Sequence, residues 1–258
     1  MAEDERAKGG LQGVAGRMSV FAVIAVLVTL NLYQYLIRNK LDNPITQQDI
    51  IQRFHQLFDA NPRGVVRNTW FGVPAWQNPN DVWITQEIIT EVKPDFIVET
   101  GTLHGGSAAM WASFLREVNP GGRVITIDVN DDSEAARKLS ITQKHVDFLI
   151  GSSTAPEIVE EVKKRVKGGR VLVILDSDHS KKHVSKELEL YAELVSTGSY
   201  MIVQDTDING HPVRPNTGPG PMEAVEDFLE KNKTFKIDSS RERFLFTMHP
   251  KGYLQRLP

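Results

Sequence analysis

The spacing of apolar and polar positions changes character along the chain. Met18 to Ile37 is an apolar run without a charged side chain. Tyr33 and Tyr35 sit near its end, and Arg38 and Lys40 follow. A charge-free run near the roughly 20 residues that cross a bilayer core, with aromatic rings at one edge, predicts a transmembrane helix over 18–37. The polar, Gly-rich residues 1–17 then form a disordered tail. Arg6, Lys8 and Arg17 before the run balance Arg38, Lys40 and Arg53 after it, so charge leaves the orientation open. Residues 38–80 read as a linker, an amphipathic helix and an aromatic loop. Ile50, Ile51, Phe54, Leu57 and Phe58 recur at helical spacing behind Thr46, a capping residue type. Trp70, Phe71 and Trp76 lie among Pro and Gly, in a loop that either covers a site or seals a core edge. Asn80 or Asp81 then caps a helix that runs to Val92 and stops before Pro94.

From Asp95 short β-branched runs alternate with helical patterns. Apolar runs lie at 96–99, 123–128, 146–150, 171–175 and 200–204, with helix-like segments at 107–118, 132–140, 155–167, 180–196 and 221–232. Near-continuous apolar strands suit a parallel sheet covered on both faces. Right-handed crossovers give an α/β, Rossmann-like, doubly wound fold. Phe235–Asp238 and Phe244–Thr247 flank a turn and predict a closing antiparallel hairpin, for a mostly parallel seven-stranded sheet over 81–258.

Composition narrows the partners. The 258 residues carry a net charge of -3, so no basic field argues for nucleic acid. The absence of Cys excludes disulfides, thiolate metal sites and Cys nucleophiles.

Ligands of open α/β sheets bind beyond the carboxyl ends of the strands, so the strand ends collect the candidate chemistry. The first ends in Glu99-Thr100-Gly101, followed by Gly105, Gly106 and Ser107 at a helix start, where backbone N–H groups converge. An acid with this glycine spacing suits S-adenosylmethionine better than a dinucleotide. Asp128, ending the second strand, is placed to accept from ribose hydroxyls, although Asp131 to Ser133 compete with it for a capping role. Ser152, after the third, either lines the adenine end or caps the next helix. The fourth and fifth end in Asp176-Ser177-Asp178-His179 and Gln204-Asp205-Thr206-Asp207. Oxygen donors crowded at neighbouring strand ends suit Mg²⁺ or another hard divalent cation, because buried like charges need a counter-ion. His179 is a candidate general base. Asp178 is equally a cap for the helix that begins at Ser180. Residues 207–221 form a Gly/Pro-rich loop over this corner, with His211 and Arg214 as its reactive groups.

A parallel sheet that closes on an antiparallel pair is the layout of class I methyltransferases. The runs VETGTLHGGSA and LDSDHSKKHVSKELELYAELVSTGSYMIVQDTDINGHPV, with the Trp/Pro loop before them, resemble the cephalosporin hydroxylase / rhamnosyl O-methyltransferase family over roughly 60–250. The resemblance implies an S-adenosylmethionine-dependent, Mg²⁺-assisted O-methyltransferase. Its acceptor would be a hydroxyl of a sugar, glycolipid or other polyol. The implied metal ligands are Asp178, Gln204 and Asp205, with Gln204 departing from the expected Glu. Likeness to catechol-type O-methyltransferases would instead place a ligand at Asp176 and the base at His179. Small-molecule hydroxylation is the alternative in the family's name, but no Cys is present to ligate haem. A membrane-tethered, non-catalytic binding protein on the same scaffold is a third reading, kept open by Gln204. A domain that uses adenosylmethionine is expected on the cytosolic side of a single-pass anchor. A homo-oligomer is left open.

Overall fold

The computed structural model describes residues 22–36, 46–61 and 64–258. It divides the chain into two units, one reaching to Ile50 and the other Ile51–Pro258. The expected tail at 1–17 and the linker at 38–45 lie outside the described residues.

The expected transmembrane anchor does not stand. The apolar run forms a helix, α1, over residues 22–36. Among the described residues no helix is long and apolar enough to cross a membrane. Its polar side chains bond back on the helix itself, Thr29 Oγ1 to Ala25 O at 2.9 Å and Asn31 Nδ2 to Leu27 O at 2.9 Å. The single-pass membrane location and membrane partnership expected from the run fall with it. Residues 18–21 and 37 are outside the described set.

The next helix, α2, spans Gln47–Asp59 and opens on the expected cap: the Asp49 N–H donates to Thr46 Oγ1 at 3.1 Å. Its ring contacts centre on Phe246, which meets Phe54, His55 and Phe58, so His55 is buried while Ile50 and Leu57 stay exposed. The aromatic loop that follows contains a two-stranded sheet, β1 (Thr69–Trp70) and β2 (Val73–Pro74). Helix α3 spans Pro79–Val92. Its cap is Asn78, two residues before Asn80 and three before Asp81, with Pro79 at the start, where a missing N–H costs nothing.

The main sheet has seven strands: β3 (Phe96–Thr100), β4 (Arg123–Asp128), β5 (Val146–Ile150), β6 (Val171–Leu175), β7 (Tyr200–Val203), β8 (Phe235–Ile237) and β9 (Tyr253–Arg256). Their order is β5-β4-β3-β6-β7-β9-β8, with β9 antiparallel to both neighbours. Helices α4 (Gly106–Val118), α5 (Glu134–Arg137), α6 (Ser140–His145), α7 (Pro156–Val166), α8 (Lys181–Tyr191) and α9 (Pro221–Lys231) complete the fold. Strand residues alternate between two cores. Val171, Val173 and Leu175 face α7, α8 and α9 with Val98 and Met201, whereas Leu172 and Ile174 face α3 and α4 with Ile97 and Tyr200.

The closing strand differs from the expected Phe244–Thr247. Leu245 adopts φ 65°, which ends extended backbone there, and Phe246 is drawn onto α2. Tyr253 and Leu254, fully buried, fill the gap between β7 and β8 instead.

Candidate active site

Strand order sets the position of the site. β4 and β6 flank β3, and the connections leave β3 in opposite directions, so a crevice opens above their carboxyl ends. Register makes the floor tight. Thr100 pairs with Leu175, so Gly101 and Asp176 leave the sheet side by side, with Asp176 N–H donating to Thr100 O at 3.0 Å. Gly101 has φ 89°, and a Cβ there would lie 1.8 Å from the Asp176 carbonyl oxygen. Only glycine fits. A cavity of about 570 Å³ lies over this floor.

The expected cofactor residues separate into two groups. Gly101, Ser107, Asp128 and Ser152 line the cavity. Asp128 accepts from the Leu103 N–H (2.8 Å, Oδ2) and the Asn130 N–H (3.0 Å, Oδ1), so its carboxylate is fixed at the rim. Glu99, Gly105 and Gly106 are not in the lining. A Cβ on Gly106 would meet Pro74 O at 2.1 Å, so this glycine lets β2 lie against the start of α4. Glu99 is fully buried behind the turn, accepting from Trp111 Nε1 (2.8 Å) and Thr126 Oγ1 (2.7 Å).

Burial pushes the Glu99 carboxyl up to about 7 against its hydrogen bonds, with the Asp128 charge adding to the rise. A raised carboxyl pKa means that the folded state holds the proton longer. Below the unfolded value of 4.5 both states are protonated and nothing is lost; between 4.5 and about 7 stability falls as pH rises, and above that the penalty is complete. Glu99→Gln can keep both partners, with its amide donating to Thr126, whose hydroxyl also meets Thr102 Oγ1 at 2.7 Å. The variant is therefore expected to melt higher than the parent at pH 8, by roughly 3 kcal/mol at most, with the gain shrinking toward pH 5. Equal melting shifts at both pH values would show that Glu99 does not carry this proton.

The expected metal residues also separate. Asp176, His179 and Asp205 converge, with one ligand atom from each within 4.8 Å of the others. His179 Nε2 lies 3.5 Å from Asp205 Oδ2 and 4.0 Å from Asp176 Oδ1. Burial, then the neighbouring Asp205 and Glu99 charges, hold the Asp176 carboxyl well above the usual range. Asp178 lines the cavity, but its Oδ1 accepts the N–H of Ser180, the cap of α8, at 2.7 Å, which holds its carboxyl low. Gln204 is buried and lies outside the lining.

Gln77, absent from the sequence-level candidates, links these groups. Its Nε2 donates to Gln204 Oε1 at 2.9 Å and to Asp176 Oδ2 at 3.1 Å. His249 is a second addition: its Nδ1 accepts the Asp205 N–H at 3.1 Å, beneath a residue held at φ 53°. In the aromatic loop Trp70 seals the core edge, donating to Ser113 Oγ at 3.2 Å, whereas Trp76 lines the cavity. Arg214 lines it as well, tied to Asp59 of α2 at 2.7 Å. His211 instead pairs with Glu223 at 3.0 Å.

A seven-stranded sheet in this order, with an acid at the β4 end and a glycine turn after the central strand, defines a class I methyltransferase. Residues 63–257 match the family profile Rhamnosyl O-methyltransferase/CmcI. A rhamnosyl O-methyltransferase of Mycobacterium bovis is 38% identical over 212 residues, covering 80% of this chain and 85% of that one. One from Mycobacterium leprae is 36% identical over 216 residues, covering 80% and 90%. Among solved structures, CmcI with Mg and SAM superposes with a TM-score of 0.58 at 17% identity, over 78% of this chain and 83% of that one. The chain belongs to the rhamnosyl O-methyltransferase/CmcI family and is an O-methyltransferase.

Proposed function

We propose that this protein transfers the methyl group of S-adenosylmethionine to a sugar hydroxyl, on a rhamnosyl unit or a glycolipid that carries one. The observation that carries this reading is the single cavity onto which Asp128 and the Asp176–His179–Asp205 cluster both open, joining a ribose-type acceptor to an acid–imidazole centre. The names of the relatives at 36–38% identity support the rhamnosyl acceptor.

Gly101, Ser107, Asp128 and Ser152 would hold the methyl donor, with the free lone pairs of Asp128 taking ribose hydroxyls. Two carboxylates and an imidazole in reach of one point fit a divalent cation, and burial beside the Asp205 and Glu99 charges, which raises the Asp176 carboxyl, supports a place for positive charge there. Asp176 and Asp205 would be its protein ligands, with Gln77 and Gln204 aligning Asp176 from behind. When bound, the cation supplies charge that favours the ionised acceptor hydroxyl. His179 takes the hydroxyl proton at Nε2, and Asp205 stabilises the imidazolium that results. Trp76 at the cavity wall offers an aromatic face to a sugar ring. Excluding water and aligning the acceptor oxygen behind the methyl group supply the rest.

The test is calorimetric titration of the full chain with S-adenosylmethionine, followed by transfer of labelled methyl to a rhamnosyl glycolipid. No binding by folded protein would overturn the reading. For the cation, Asp205→Asn is expected to weaken Mn²⁺ binding, followed by electron paramagnetic resonance, ~10-fold or more while S-adenosylhomocysteine still binds. Unchanged Mn²⁺ affinity would remove Asp205 from the ligand set.

A further inference from the structure

One wall of the cavity has a wholly buried carboxylate behind it that the methyl-transfer reading leaves unused. Ser153, Ser177 and His183 line the cavity; Glu187 of α8 lies behind them, with no exposed surface. Ser153 Oγ donates to Glu187 Oε1 at 2.6 Å, and Ser177 Oγ donates to the same oxygen at 2.7 Å. His183 Nε2 stands 3.0 Å from Ser153 Oγ and 3.4 Å from Glu187 Oε1. The other carboxylate oxygen, Oε2, is buried and has no partner. Tyr191 locks the same loop by donating to the Ser153 carbonyl at 2.7 Å.

Proton accounting decides what this wall can recognise. Both serines donate to the same Glu187 oxygen, and a serine hydroxyl has one hydrogen. Both hydroxyl hydrogens are therefore committed to Glu187. Ser177 keeps two lone pairs for the cavity. Ser153 keeps one after its contact with His183. The wall presents acceptors and no hydroxyl donor.

We infer that Glu187 is a positioning residue for cofactor selectivity: it turns the Ser153 and Ser177 hydroxyls away from the cavity, so that their oxygens accept the exocyclic amine of an adenine ring. The inference rests on the methyl-donor reading above and deepens it. Topology agrees. Asp128 at the end of β4 takes the ribose, and the base then extends toward the end of β5, where Ser153 lies. The wall discriminates because a purine with a carbonyl in place of the amine brings an acceptor against acceptors, leaving buried groups unpaired.

The experiment compares S-adenosylhomocysteine with S-inosylhomocysteine, its deaminated analogue, by calorimetry on the full chain. The parent is expected to prefer the adenosyl compound by ~10-fold or more. Glu187→Met frees both hydroxyls to rotate, so the adenosyl compound binds more weakly, the inosyl compound binds more tightly, and the ratio falls toward one. A residue that only supports the fold would weaken both ligands alike and leave the ratio unchanged. Should Glu187→Met fail to fold, the double variant Ser153→Ala, Ser177→Ala carries the test and is expected to lose the same preference. Equal affinity in the parent, or a preserved ratio in a folded variant, overturns the inference while the methyl-donor reading stands. Failure of the parent to bind either compound overturns both.

Discussion

His179→Ala is expected to lower the rate of methyl transfer by a factor of ~10² to 10⁴, the usual range for loss of a positioned general base. The expectation comes from placement. Nε2 is 3.5 Å from Asp205 and 4.0 Å from Asp176, and the side chain is about a third exposed, in a wall of the cavity. Its removal opens no core cavity, so melting temperature and affinity for S-adenosylhomocysteine should stay near the parent's. On the proposed reading the imidazole acts on the acceptor proton, so the loss belongs in kcat. A variant that keeps kcat within a few-fold of the parent would remove His179 from the chemistry and leave the cation to ionise the hydroxyl unaided.

Gly101→Ala is the second large effect, and here the fold gives way before the chemistry. The new methyl group would stand 1.8 Å from the Asp176 carbonyl oxygen, at a backbone with φ 89°. The contact is backbone against side chain between two paired strands, so it cannot be relieved by a rotamer change. The end of β3 or of β6 must shift. We expect a destabilisation of roughly 3 kcal/mol or more, near 10 °C in melting temperature for a domain of this size. S-adenosylhomocysteine binding should be lost with it, because the shift displaces Asp176 and the floor together. Gly72→Ala is the internal control. It has a similar φ of 82°, yet nothing lies within 4 Å of the added methyl, so only backbone strain of about 1 kcal/mol is expected. Equal melting for the two variants would show that the close approach to Asp176 is not what requires glycine.

How much of this was legible in the sequence depends on how local each signal is. The strands from Phe96 to Val203 announce themselves because both faces are buried and the apolar runs are uninterrupted. The closing strand does not. Phe244-Leu245-Phe246 is more apolar than Tyr253-Leu254-Gln255-Arg256, but the choice between them is made by the free edge of β7 and by the pull of α2 on Phe246. Neither is visible locally. Strand ends named Asp128, Asp176, His179 and Asp205, and all four line one cavity. They could not tell which acids face it. Glu99 is buried behind the turn and bonded to Trp111, whereas Asp178 reaches the lining with one oxygen already tied to the Ser180 N–H. Gln77 had no local signal at all, because its partners Asp176 and Gln204 lie 99 and 127 residues away. The apolar run at 18–37 is the reverse case: a strong local signal for a membrane span, where among the described residues no helix is long and apolar enough to cross.

The backbone N–H of Asp205 rests on His249, and the next residues lead directly into β9, the strand inserted between β7 and β8. Gly252 adds a second stitch, its carbonyl accepting the Val203 N–H at 2.8 Å. For protein engineering this makes the last stretch of sequence a poor place to cut. Deletions from His249 onward remove none of the cavity's lining residues, yet they withdraw the support beneath Asp205. Activity lost in such a deletion would report a fallen scaffold and would invite a false assignment of acceptor-binding residues to the carboxyl end.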